Sequence, residues 1–349
     1  METPYIYIDY EKLIRNIENM AKICRENKVS LKPHFKSHKT LEIAKEQLKR
    51  GSIGITTSTL KETKALVKKG INNITLAYPL VSERKIKQYK KLGKESKLSA
   101  LVLDYQHGLY LNAYFSKVKP CNVWLKINTG LNRLGIEPHK IPSELEKLKN
   151  IENIKVVGFL AHGGNSYSGK ESLEKVGTYE GQALVAYKKP PLLVSCGSAP
   201  TAKWVSKVKE VDEIRPRNYV FYDRTTVSLG VCQKEECALY VKATVIGKYI
   251  DRLVIDSGSK TLGLDKGVHG NSNMEGFGVI MENPDLVITR LSEEHGVIEG
   301  KSIENIQIGQ ILTILPNHAC PVVNLHDTLY VFLKPINQQV YSDRKRSLR

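Results

Sequence analysis

Short β-branched runs alternating with amphipathic helical stretches predict an α/β protein: a (β/α)8 TIM-type barrel followed by a C-terminal antiparallel β domain. Three observations carry that expectation. Eight strand candidates lie between about residues 29 and 216, which is the count a closed parallel barrel needs. No Gly-x-Gly-x-x-Gly follows the first of them, which weighs against an open dinucleotide-binding sheet. After about Tyr219 the helical period fades, and strand-like runs separated by Gly, Asn and Asp turns take over.

The barrel strands are expected at residues 29–35, 52–57, 73–77, 98–103, 122–127, 155–161, 192–195 and 211–215. Helical patterns fall between them, for example at 41–48, 60–69, 82–92 and 171–188. In the second half the runs 238–246, 253–256, 286–291 and 311–315 read as strands, and Gly258, Gly263, Gly267 and Gly270 punctuate one linker. Residues 4–9 are also strand-like and can join either part. The expected layout is a barrel over 11–230, with 1–10 and 231–349 forming the β domain. There is no internal repeat and no low-complexity segment.

Composition narrows the function classes. The formal charge is +17, but the lysines are spread through nearly every helical stretch, and the basic tail at 343–349 is short. No zinc-finger or RNA-binding spacing accompanies it, so nucleic acid is not the expected partner; a phosphate-bearing cofactor or anionic substrate suits the charge as well. No apolar run approaches the roughly 18 residues that span a bilayer. The N-terminus, Met1-Glu2-Thr3-Pro4-Tyr5, lacks a signal-peptide layout, which predicts a cytoplasmic protein with no membrane partner. Six cysteines in 349 residues do not make a disulfide framework, and Cys232 and Cys237 have no second pair to complete a metal site.

The candidate chemistry starts at Leu31-Lys32-Pro33-His34-Phe35-Lys36-Ser37-His38-Lys39-Thr40. In an extended chain Lys32, His34, Lys36 and His38 project from one face, and such crowding lowers a lysine's pKa, as a Schiff-base lysine requires. In a barrel, active groups gather at the carboxyl ends of the strands. There the sequence places Lys36, then Arg133 within 128–135, His162 and Tyr167 within 162–167, Ser198 and Thr201 within 195–201, and Arg217 and Asn218 within 215–219. The small, hydroxyl-rich seventh loop runs into a helix start near Thr201 and suits a phosphate. A phosphate loop beside a Schiff-base lysine is what pyridoxal phosphate requires. A second cluster, Pro316-Asn317-His318-Ala319-Cys320-Pro321, reads as a strand on which His318 and Cys320 face the same way. Imidazole plus thiolate is a zinc-preferring pair, and two protein ligands leave positions open for water or substrate.

Together these stretches resemble the D-serine dehydratase and D-threonine aldolase family, whose barrel is similar to that of alanine racemase. The resemblance covers nearly the whole chain. It rests on 33–39, 128–135, 161–167, 197–201, 215–219, 291–296 and 316–320, of which the first and last are specific in combination. It implies Lys36 as the catalytic Schiff-base lysine, Arg133 and His162 flanking the pyridine ring, and Tyr167 lining the pocket. Ser198, Thr201 and the backbone around Arg217 and Asn218 would hold the phosphate, and His318 and Cys320 a divalent metal, zinc first, with manganese or magnesium as alternatives. The implied activity is a lyase acting on 3-hydroxy D-amino acids such as D-serine or D-threonine, in a homodimer. His-x-Cys is similar to the dehydratases, whereas 321–327 looks more like the aldolases. One departure stands out: Arg217 occupies a position where the family usually has glycine. The alternatives are an amino-acid racemase, which needs a tyrosine such as Tyr240, Tyr249 or Tyr330 from the β domain, and a non-catalytic pyridoxal phosphate-binding protein, against which the length of the β domain argues.

Overall fold

The computed structural model describes residues 1–94, 96–267 and 274–332. Gly270, Tyr341 and the basic tail at 343–349 lie outside the described residues. The chain divides into two compact units. An α/β unit comprises Asn19–Ser166 and Lys170–Arg217; a β unit comprises Met1–Glu18, Tyr167–Gly169 and Asn218–Arg349. The division thus falls within the first helix, Tyr10–Glu26, and at Arg217–Asn218, whereas the sequence placed it near 10 and 230.

In chain order the strands are β1 (Tyr5–Asp9), β2 (Ser30–Leu31), β3 (Ile55–Thr57), β4 (Asn73–Pro79), β5 (Lys97–Val102), β6 (Cys121–Lys126), β7 (Ile154–Leu160), β8 (Leu193–Cys196) and β9 (Glu213–Ile214). They continue with β10 (Leu239–Lys248), β11 (Leu253–Ile255), β12 (Val279–Ile280), β13 (Val287–Leu291), β14 (Gly296–Glu299), β15 (Ile311–Leu315) and β16 (Leu329–Phe332).

The α/β unit is built on one parallel sheet in the order β2-β9-β8-β7-β6-β5-β4-β3. Isolated parallel bridges, Leu31 to Ser52 and His34 to Thr56, link the chain at β2 to the chain at β3, so the strand order is cyclic. All eight strands fall where the β-branched runs predicted them. Strands covered on both faces need continuous apolar sequence, and Ala100, Val123, Leu125, Phe159 and Val194 are fully buried. At Gly158 in β7 a side chain has no room, because a Cβ would lie 2.0 Å from the Leu193 carbonyl oxygen of β8.

The first strand is shorter than its run. Instead of carrying Lys36 at a strand end, the chain turns into a 3-10 helix at Phe35–Ser37. The N–H groups of His38 and Lys39 both donate to the Phe35 carbonyl, at 3.2 and 2.8 Å, and Lys39 takes φ +49°. That turn overrides the alternation: Lys32, His34, Lys36 and His38 do not form one extended face.

The β unit holds the order β11-β14-β13-β12-β15-β10-β1-β16, and β11 also pairs with β10, which closes a six-stranded ring. Period-two alternation builds its interior: Val241, Ala243, Val245, Ile255, Ile288, Ile298, Leu312 and Ile314 are fully buried. Residues 4–9, assignable to either part from sequence, belong here, with β1 antiparallel to β10 and parallel to β16. Among the described residues no helix is long and apolar enough to cross a membrane.

Candidate active site

Lys36 sits half-buried in the turn after β2, between buried Phe35 and Ser37. Two buried histidines accompany it. His34 is extended, at φ −80° and ψ 128°, and its Nδ1 has no hydrogen-bond partner among the described residues. His162 follows β7, and neither of its ring nitrogens has one. Both rings are held neutral. Burial lowers the His34 pKa most, followed by Lys36, Arg215, Arg217 and Arg133. For His162 burial again comes first, then Lys36, Arg217 and His34. The region is therefore electropositive around two neutral imidazoles. The other two basic residues of the run do different work. Lys32 is buried within 3.9 Å of Glu213, and His38 turns back on its own chain, its Nδ1 3.2 Å from the Thr40 N–H.

Arg133 stands on a loop organised by Asn128. The Asn128 side-chain oxygen accepts the N–H groups of Gly130 and Asn132, at 3.3 and 3.0 Å. Gly130 adopts φ +114°, a backbone that disfavours other residues. Partial desolvation and then Arg217 lower the Arg133 pKa.

Ser198 and Thr201 are buried in the loop after β8, which enters at Gly197 with φ +94°. The Ser198 N–H donates to Thr201 Oγ1 at 2.9 Å, the two hydroxyls are 2.9 Å apart, and Ser166 Oγ lies 3.3 Å from Ser198 Oγ. The helix that follows is only Ala202–Val205. So short a helix carries little dipole; what the loop gathers instead is three clustered hydroxyls, one of them Ser166, which the sequence reading missed.

Beneath these loops lies a buried ionic network, also missed. The Arg215 Nε donates to Ser195 Oγ at 2.7 Å, and Ser195 Oγ donates to Glu213 Oε1 at 2.6 Å. Lys126 Nζ donates to the Ile127 carbonyl at 2.8 Å; burial, then Arg215, pushes its pKa down to about 7. The visible signal was a charged residue inside an otherwise apolar strand run, at Lys126, Glu213 and Arg215.

The second cluster differs from its expectation. His318 is extended but Cys320 is not on a strand: Ala319–Leu325 is a helix with His318 at its N-cap. Pro321 is compatible with a helix's first turn, where its missing N–H costs nothing. The N–H of Ala319 donates to Asp223 Oδ2 at 3.0 Å, which satisfies that helix end. Asp223 is almost fully buried and also accepts from Asn218 Nδ2 at 2.6 Å and the Thr226 N–H at 3.0 Å. The Arg224 N–H to the Pro316 carbonyl and the Thr225 hydroxyl to the Asn317 carbonyl, 3.1 and 2.7 Å, pin the same segment.

His318 Nδ1 lies 2.6 Å from Asp265 Oδ2, while its Nε2 is buried with no hydrogen-bond partner among the described residues. The Cys320 thiol points to Asn218 Oδ1 at 3.9 Å. Burial opposes charge on His318, but Asp265, Cys320 and Asp223 outweigh it and raise its pKa to about 9. No group of three or more His, Cys, Asp or Glu arranged to hold a metal exists among the described residues. Asn218 and Tyr167, expected beside the cofactor, both group with the β unit. Tyr240, the buried one of the three tyrosines a racemase could use, has its hydroxyl committed: it donates to the Cys237 carbonyl at 2.9 Å and accepts from Lys12 Nζ at 3.0 Å.

The donors fit the groups that the sequence suggested. Two buried neutral histidines with open ring nitrogens, a lysine, two arginines and a hydroxyl cluster suit a planar anionic aldehyde. An open imidazole nitrogen near a thiol suits a borderline-soft divalent metal. Fold and site together define a pyridoxal phosphate-dependent enzyme of the alanine racemase-like class.

Comparison with known proteins specifies the class further. The family model "Alanine racemase, N-terminal domain" matches residues 8–223, and "Putative serine dehydratase domain" matches 238–332. The chain is 31% identical to D-threo-3-hydroxyaspartate dehydratase of Delftia sp. (strain HT23), covering 92% of this chain and 91% of that protein. The solved structure of that dehydratase superposes with a TM-score of 0.90 at 28% identity, covering 99% and 97% of the two chains. A cysteine-to-alanine variant of it in the metal-free form gives 0.89 at 27% identity, with 99% and 97% covered. D-serine dehydratase of Dictyostelium discoideum is 28% identical over 92% of this chain and 90% of its own. The chain belongs to the D-serine dehydratase and D-threonine aldolase family, and is a pyridoxal phosphate-dependent lyase.

Proposed function

We propose that this chain is a pyridoxal phosphate- and divalent-metal-dependent lyase of 3-hydroxy D-amino acids, of the D-threonine aldolase or D-serine dehydratase type. What supports this reading over a racemase is the placement of His318 beside Cys320 in the β unit, with the His318 Nε2 buried. The cofactor, when bound, supplies an electron sink for the bond broken at Cα, and the metal supplies a Lewis acid for the substrate hydroxyl.

The protein's own residues then divide the work. Lys36 would hold the cofactor, and in dehydration its amine would take the Cα proton. His162, held neutral, and Arg133 would flank the pyridine ring, and Arg217 would add a charge-assisted contact to the cofactor's anionic groups. Ser198 and Thr201 hold the phosphate, with the backbone at Arg217 and Asn218, and Tyr167 lines the pocket. His318 and Cys320 hold the metal. Its identity as zinc, the homodimer, the cytoplasmic location and closure of the cyclic strand order as a (β/α)8 barrel belong to the same reading. The α/β unit is the cofactor domain and the β unit the metal domain.

Product analysis with D-serine, D-threonine and 3-hydroxy-D-aspartate tests it. Ammonia with a 2-oxo acid identifies a dehydratase, and glycine with an aldehyde or oxo acid identifies an aldolase. Appearance of the L-enantiomer alone would overturn the lyase reading.

A further inference from the structure

Helix Leu173–Val185 sends one acid into the α/β unit. Glu180 is fully buried, a place where a carboxylate costs free energy unless its oxygens are used. Burial raises its pKa, while the Gly197 N–H, Arg215 and Lys126 favour the ionised form. Its Oε1 accepts the Gly197 N–H at 3.0 Å. Its Oε2 is packed against Gly163, where a Cβ would sit only 2.5 Å away. The carboxylate thus holds the loop after β8 that carries Ser198 and Thr201 by a hydrogen bond, and lies against the loop after β7 that carries His162.

Gly197 is the pivot of the second loop. It holds φ +94°, and the next residue begins the hydroxyl cluster through the Ser198 N–H bond to Thr201. We propose that Glu180 is a positioning residue for the cofactor phosphate: by holding the Gly197 N–H, it fixes the backbone from which the Ser198 and Thr201 hydroxyls meet the anion. The bond also withdraws the Gly197 N–H from the donors open to that anion, so the carboxylate decides which groups the phosphate uses. This inference rests on the pyridoxal phosphate reading above.

The test compares two ligands that differ only in the phosphate. Apoprotein is titrated with pyridoxal phosphate and with pyridoxal, followed by absorbance, and the ratio of their dissociation constants is read for wild type, Glu180→Ala, Glu180→Asp and Glu180→Gln. Loss of one charge-assisted hydrogen bond that acts on phosphate placement raises the ratio of the pyridoxal phosphate to the pyridoxal dissociation constant about tenfold. Alanine removes the acceptor, and aspartate is one methylene too short to reach Gly197, so both are expected to weaken pyridoxal phosphate while leaving pyridoxal unchanged. Glutamine keeps an oxygen for Gly197 and is expected to keep the ratio within about threefold. Should the alanine variant not fold, the aspartate and glutamine variants carry the comparison. Equal weakening of both ligands, or a wild-type ratio in the aspartate variant, would overturn the inference alone. A wild-type protein that binds neither ligand, or both alike, would overturn the cofactor reading beneath it and the inference with it.

Discussion

The same side chain is treated in opposite ways by the two units. In the α/β unit, His34 and His162 are buried among Lys36, Arg133, Arg215 and Arg217, and their proton affinity falls. In the β unit, His318 is nearly as buried, yet Asp265, Cys320 and Asp223 raise its pKa to about 9. Burial alone pushes every histidine the same way. The difference is the sign of the surrounding charge, which on the proposed reading suits an anion in the first region and a cation in the second. In the β unit a proton is attracted by the same groups that would attract a metal.

The sharpest way to break that comparison is to remove one centre and ask whether the other survives. Lys36→Ala is expected to lower turnover by roughly 10³-fold, because it removes both the attachment point and the base. Metal content by elemental analysis is expected to stay unchanged, and borohydride reduction to leave no cofactor on the peptide containing residue 36. A reduced cofactor trapped elsewhere in the wild-type chain would overturn the assignment. Chelation or His318→Ala makes the converse cut. Loss of a Lewis acid is expected to cost roughly 10²-fold or more in lyase rate, with the absorbance of bound cofactor retained. Full lyase activity in the metal-stripped protein would sink the role given to His318 and Cys320.

How much of this contrast is legible in the sequence depends on how local its causes are. Each of the eight parallel strands shows itself, because a strand buried on both faces must be written in β-branched and apolar residues, as in 98–103 and 122–127. The loop residues Lys36, His162, Ser198 and Thr201 follow from the strand ends. The helix at Ala319–Leu325 does not. Val322 and Val323 favour extended chain on local grounds, and the helix start is instead held by the Ala319 N–H donating to Asp223, nearly a hundred residues away. Asp265 and Glu180 are equally hidden, since an acid that braces a distant loop looks in sequence like any acid on a polar face.

Asp265 offers a finer cut within the cation-receiving region. Its bond to Nδ1 fixes the His318 ring so that Nε2 is the nitrogen left open, the arrangement by which a carboxylate orients a metal-bound imidazole. Asp265→Asn is expected to weaken metal affinity about 10- to 100-fold, measured by competition with a chromophoric chelator, with cofactor affinity unchanged. Unaltered metal affinity would leave Asp265 as an exposed acid with no part in holding the metal.

The smallest expected effect sharpens the anion-receiving side. Arg217 is buried in the loop after β9, and the neighbouring Pro216 carbonyl accepts the His34 N–H at 3.1 Å. Its charge acts on His34, His162 and Arg133 alike, so it adds to a region already rich in cations. Two arginines near each other repel, and an added anion makes their proximity more favourable. If the cofactor phosphate is that anion, Arg217→Gly weakens pyridoxal phosphate by about three- to tenfold, the worth of one charge-assisted contact partly screened by its neighbours, and leaves pyridoxal unchanged. If a second carboxylate on the substrate is the anion, cofactor affinity holds and KM rises for 3-hydroxy-D-aspartate but not for D-serine. Tighter cofactor binding in the glycine variant would mean that the arginine crowds the site, and the electropositive surplus of the α/β unit would then be incidental to what it binds.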